Sequence, residues 1–96
     1  MVKHESRPGP RVAIVTGAGT GLGRAYARRL AADGLRVMVN NRRREIDAAG
    51  RGSADLVVEE IHAAGGEAIA NYEDVCAAGA GERMVEQALA TWGRLD

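Results

Sequence analysis

Apolar residues along the chain fall into short dense runs and longer periodic stretches, in alternation. Arg11–Thr16, R-V-A-I-V-T, is a nearly unbroken β-branched and apolar run, the pattern of a strand buried on both faces of a parallel sheet. Leu22, Ala25, Tyr26, Leu30 and Ala31 then recur at helical spacing, and Gly34 stands where that helix should stop. Leu35–Val39 is a second buried-strand segment, and Asn40–Gly52 is polar, basic and without period, as in a loop. Ser53 is expected as an N-cap with Asp55 in the first turn, and Val57, Ile61 and Ala64 as the inner face of a helix closed by Gly65-Gly66. Glu67–Ala70 reads as a third strand. Ala80–Trp92 reads as a third helix, with Val85, Ala88, Leu89 and Trp92 as its buried stripe and Gly93 as its stop. Leu95-Asp96 would open a fourth strand. Strands alternating with helices as β-α-β-α-β-α predict an α/β fold, a parallel sheet with helices on its faces.

Composition narrows the classes of function. The 96 residues suit one domain or part of one, with 46% hydrophobic and 27% charged residues. The formal net charge is zero, so nothing points to nucleic acid as a partner, and no apolar run is long enough for a membrane span. Met1–Pro10 holds both prolines and lacks the apolar centre of a signal peptide; it is expected to be a disordered leader to a domain over 11–96. The single cysteine, Cys76, excludes an internal disulfide and fits a reducing compartment, so cytoplasm is expected.

The chemistry-bearing segment is Thr16-Gly17-Ala18-Gly19-Thr20-Gly21-Leu22-Gly23, between the first strand and first helix. Unpaired amides at a helix start favour an anion, and glycines let the backbone approach a phosphate without a Cβ in the way. A Walker A loop would end in Gly-Lys-Ser/Thr, whereas Gly23 is followed by Arg24-Ala25. The pattern G-x-G-x-x-G started at Gly17 puts its last glycine on Leu22 and also fails. The wider T-G-x-x-x-G-x-G fits, through Thr16, Gly17, Gly21 and Gly23. The alternative is a glycine-rich turn without a ligand.

T-G-A-G-T-G-L-G-R-A-Y-A resembles the cofactor loop of the short-chain dehydrogenase/reductase family. V-M-V-N-N, S-A-D-L-V-V-E-E-I-H-A-A-G-G-E-A-I-A-N-Y-E-D-V and A-G-E-R-M-V-E-Q-A-L-A-T-W-G-R-L-D extend the likeness over about Arg11 to Asp96. Together they resemble the hydroxyacyl-CoA dehydrogenase portion of peroxisomal multifunctional enzymes and their bacterial relatives. The resemblance implies the N-terminal half of a Rossmann-type doubly wound parallel sheet. It also implies NAD(P) as cofactor, and a homo-oligomer for a full-length member.

By resemblance, Gly17, Gly21 and Gly23 admit the pyrophosphate to the loop amides, Thr16 braces the loop, and Leu22 faces the nicotinamide. Asp74 and Val75 match the family's Asp-hydrophobic pair lining the adenine pocket; without the family match, Asp74 reads equally as a carboxylate capping the next helix. An NAD site places a carboxylate after the second strand, about 20 residues beyond the glycines, on the ribose hydroxyls. Here Asn41 is followed by Arg42, Arg43 and Arg44. With no carboxylate to repel a 2′-phosphate and guanidinium groups to clamp one, NADP is favoured over NAD. The glycine loop itself carries no basic residue, which weighs the other way, and three arginines are also a common solvated loop. His4 is read as part of the disordered leader, His62 as solvated, Cys76 as a small buried hydrophobe, and Met84 and Trp92 as packing; no metal site is expected.

The family's general-acid/base Tyr with a Lys four residues on, and its carbonyl-orienting Ser, cannot be placed. Tyr26 and Tyr72 are followed at that spacing by Leu30 and Cys76, and Lys3 precedes the first strand. The expectation is a cofactor-binding portion truncated before the catalytic half, the small-molecule substrate pocket lying in the missing part. The chemistry would be hydride transfer between NAD(P) and an alcohol or ketone, 3-hydroxyacyl thioesters among them. The alternatives are a non-catalytic nucleotide-binding module and a non-functional remnant. Without a fourth strand, Val12–Val15 would present an apolar unpaired edge.

Overall fold

The computed structural model describes residues 9–42 and 50–96. Most of the leader expected at Met1–Pro10 therefore lies outside the described residues. Six elements follow in the order β1 (Val12–Val15), α1 (Gly21–Ala32), β2 (Arg36–Asn40), α2 (Ser53–Ala63), β3 (Glu67–Asn71) and α3 (Ala80–Trp92). The strands form one parallel sheet in the order β1-β2-β3, with Val12 opposite Arg36 and Arg36 opposite Glu67. This is the predicted α/β arrangement.

Alternation along β2 divides the core. Val37 and Val39 join Ala27 and Ala31 of α1, and Val57 and Ile61 of α2, on one face of the sheet. Met38 points to the other face, where it meets Val12, Met84 and Ala88, with Trp92 and Leu95 alongside. After β3 the chain thus changes faces along α3 and returns beside β1, where the Asp96 N–H donates to the Val12 carbonyl at 2.9 Å. No strand forms at Leu95-Asp96. The Asp96 carboxylate instead accepts the Val12 N–H at 2.9 Å, so the end of β1's open edge is covered by one residue.

Two buried stripes differ from expectation. On α1 the sheet-facing positions are Ala27 and Ala31, while Leu22 and Tyr26 are exposed. The reason is close approach: a Cβ on Gly23 would run into the Gly17 carbonyl, so the helix lies against its own loop and small residues fit beneath it. On α3 the inner row is Ala80, Met84 and Ala88, and Val85 and Leu89 are exposed. The flexible Met84 fills the space over Val12 and Met38 that a shorter Val would leave.

Candidate functional site

The three loops that leave the C-terminal ends of the strands lie at one end of the sheet, where ligands of open α/β folds bind. The first is the glycine loop. Gly17 and Gly21 have φ of +62° and +56°, left-handed values that a residue with a Cβ reaches only at a cost. The Ala18 N–H donates to the Asn40 carbonyl at 2.8 Å, which ties the loop to the end of β2. Thr20 is the N-cap of α1 but makes no side-chain cap bond, and the first turn contains no acidic residue. The helix's leading amides and positive dipole end are therefore not neutralised by a carboxylate from that turn. Thr16 is exposed at the start of the loop, and Leu22, 67% exposed, projects away from the sheet.

The second loop follows β2. Asn41 donates its backbone N–H to the Asn71 carbonyl at 3.0 Å. Its side-chain Nδ2 donates to Ser53 Oγ at 2.5 Å, on the first residue of α2. The same amide lies directly over the glycine loop, since a Cβ on Gly19 would fall 2.5 Å from Asn41 Nδ2. Arg42 is exposed, with Nη1 3.9 Å from Asp74 Oδ2. Arg43, like Arg44, lies outside the described residues.

The third loop follows β3. Asp74 accepts the Cys76 N–H at 2.9 Å on its carboxylate, and its carbonyl accepts the Ala77 N–H at 2.8 Å. It closes a turn well before α3, whose N-cap is Gly79, so it does not cap that helix. Val75 is half exposed beside it, and Cys76, expected as a buried hydrophobe, is exposed because it lies on this surface turn and on neither face of the sheet. Preceding them, Glu73 pairs with Arg83 of α3 at 2.8 Å, and this guanidinium holds the Glu73 carboxyl below its ordinary range.

The fold thus brings Gly19, Asn41 and Ser53 together, and separately Arg42 and Asp74. Sequence reasoning missed the part Ser53 plays. It is the first helical residue of α2, and the N-cap is Gly52, one residue earlier. It also missed the row of Asn40, Asn71 and Gln87 beneath the loops, whose members are far apart in sequence. Among the described residues no group of His, Cys, Asp and Glu is arranged to hold a metal ion. No helix among them is long and apolar enough to cross a membrane.

A family model described as short chain dehydrogenase matches residues 11–96. The peroxisomal multifunctional enzyme type 2 of Mus musculus is 51% identical over 88 residues, which cover 90% of this chain and 12% of that protein. An uncharacterized oxidoreductase of Methylorubrum extorquens is 48% identical over 86 residues, covering 90% of this chain and 32% of that one. Among solved structures, a short chain dehydrogenase from Mycobacterium avium superposes with a TM-score of 0.82 at 42% identity, over 92% of this chain and 32% of that chain. The chain therefore spans a third or less of the length of these relatives.

Proposed function

The chain belongs to the short-chain dehydrogenase family, and from that premise we propose that it forms the cofactor-binding portion of an NAD(P)-dependent oxidoreductase. The carrying observation is the glycine loop entering an α1 whose N-terminus no side chain caps. A pyrophosphate supplies the negative charge that this helix end lacks; Gly17 and Gly21 take the left-handed turns of the loop, and Gly23 lets the helix start close on the Gly17 carbonyl. Thr16 starts the loop, and Leu22 stands on the side of the nicotinamide. Asn41, Arg42 and Arg43 take the adenosine ribose, and Asp74 with Val75 takes the adenine. When bound, the cofactor supplies the hydride-carrying chemistry; the substrate of this reading is an alcohol or ketone, with 3-hydroxyacyl thioesters as one candidate class. NADP over NAD is supported by the neutral Asn41 and the cationic Arg42 after β2. A cytoplasmic location belongs to the same reading, supported by the lone Cys76.

A second reading, binding without turnover, is favoured by one observation. The Tyr72 hydroxyl donates to Asp55 and accepts the Asp55 N–H, so it serves α2, and Tyr26 lies on the exposed side of α1. Calorimetry with ADP-ribose, NADPH and NADH tests both. Binding of ADP-ribose, lost on Gly21→Val, supports the site, and NADPH tighter than NADH supports the cofactor choice. Absence of any binding would remove the proposal, and turnover of an alcohol by this chain alone would remove the second reading.

A further inference from the structure

A row of side-chain amides crosses the end of the sheet beneath the three loops. Asn40 ends β2, Asn71 ends β3 opposite it, and Gln87 lies on α3. Asn40 and Asn71 are the buried polar residues among those described, 2% and 7% exposed. Asn40 Nδ2 donates to Asn71 Oδ1 at 2.8 Å, and Asn71 Nδ2 donates to Gln87 Oε1 at 2.7 Å. Placing amides here costs desolvation that a Val or Leu after Val37, Met38 and Val39 would avoid. What they bond to is therefore informative.

They bond to one peptide. Asn40 Nδ2 also donates to the Glu73 carbonyl at 3.0 Å, and Asn71 Oδ1 accepts the Glu73 N–H at 2.9 Å. Both backbone groups of Glu73 are thereby held by side chains from two strands. The Glu73 carboxylate is held in turn by Arg83, whose Nη1 also donates to the Ala78 carbonyl at 3.2 Å. The loop between β3 and α3 is thus fixed at its start by buried amides and near its end by one guanidinium. The residues that follow Glu73 directly are Asp74 and Val75.

We propose that the Asn40–Asn71–Gln87 row is a positioning device for adenine recognition: by fixing the Glu73 peptide it aims the Asp74 carboxylate at the 6-amino group of the base. This rests on the cofactor reading above. A carboxylate accepts from the amino group of adenine and repels the carbonyl that hypoxanthine carries at the same place. Selectivity between the two bases therefore reports on the aim of Asp74, whereas a role in packing alone would alter both affinities together.

The test uses the 96-residue chain with ADP-ribose and its hypoxanthine analogue, the wild type being expected to prefer ADP-ribose. In Asn40→Ala the ratio of the two affinities should fall about fivefold, the worth of one ordinary hydrogen bond. Gln87→Ala, at the less buried end of the row, should lower it in the same direction and is the variant to use if Asn40→Ala does not fold. Equal weakening of both ligands overturns the positioning role. Amide hydrogen exchange supplies a readout without ligand. The Glu73 amide should exchange about tenfold faster in the variants, while the Val39 amide keeps its protection. Unchanged exchange at Glu73 also overturns the proposal. Accelerated exchange in a chain whose wild type binds neither ligand overturns the cofactor reading instead, and the adenine role with it.

Discussion

At residue 41 a neutral amide stands in the proposed ribose site, where a carboxylate would select against a 2′-phosphate. Its side chain is held by Ser53 and lies over Gly19. A hydroxyl both donates and accepts, so Ser53 can turn to serve a carboxylate placed at the same position. Asn41→Asp should therefore keep the local structure and change the charge alone. The expected outcome is a shift of about tenfold in the ratio of NADH to NADPH affinity towards NADH, on the order of 1.4 kcal/mol, read by competitive titration of the two nucleotides. An unchanged ratio would take residue 41 out of the proposed specificity site. The glycine loop itself was legible in sequence because its signal is local: a strand, glycines at fixed offsets, a helix. The hold of Ser53 on Asn41 was not, because twelve residues separate them and the chain between gives no period to follow.

At the scale of elements, α2 shows how a helix start is completed from outside. Its N-cap is Gly52, which has no side chain to offer the helix amides. Asp55 accepts the Gly52 N–H at 2.9 Å, and the Tyr72 hydroxyl, from just beyond β3, accepts the Asp55 N–H at 3.0 Å. Tyr72 thus does what a cap Ser or Thr would do, and a Cβ on Gly52 would collide with its hydroxyl. Tyr72→Phe should destabilise the fold by about 1 kcal/mol. That corresponds to a fall of about 4–8 °C in Tm, seen by circular dichroism, and an unchanged Tm would mean that water replaces the hydroxyl. Sequence periodicity located all three helices, and for α3 gave Ala80–Trp92 as observed. It assigned the cap of α2 to Ser53 because the true partner is a tyrosine brought in by the sheet. It also set the phase of α3 by size, choosing Val85 and Leu89 over Met84. Which row faces inward depends on the space left by Val12 and Met38, and that is a property of packing.

At the scale of the whole molecule, β1 is an edge strand of the sheet among the described residues, and there Asp96 acts as a clasp. Its backbone N–H reaches the Val12 carbonyl, and its carboxylate takes the Val12 N–H. Both oxygens are also held by Arg94, at 2.7 and 2.6 Å. The ion pair with Arg94 requires the ionised carboxylate, and the bond from the Val12 N–H is strengthened by it. The Arg94 guanidinium first, and the Val12 N–H second, lower the Asp96 pKa from 3.8 to about 2. The group is therefore more acidic folded than unfolded. Its contribution is fully present above the unfolded value and is lost as pH falls from about 4 towards 2. Glu60, held by Arg24, and Glu73, held by Arg83, are shifted in the same direction and add to the acid sensitivity. Substitution separates them. Asp96→Asn keeps a carbonyl oxygen as acceptor for Val12 but has no charge to lose. The wild type should be the more stable at neutral pH, and the two Tm values should converge as pH drops from 5 to about 2. Parallel Tm curves over that interval would show that Asp96 does not clasp the sheet edge in solution.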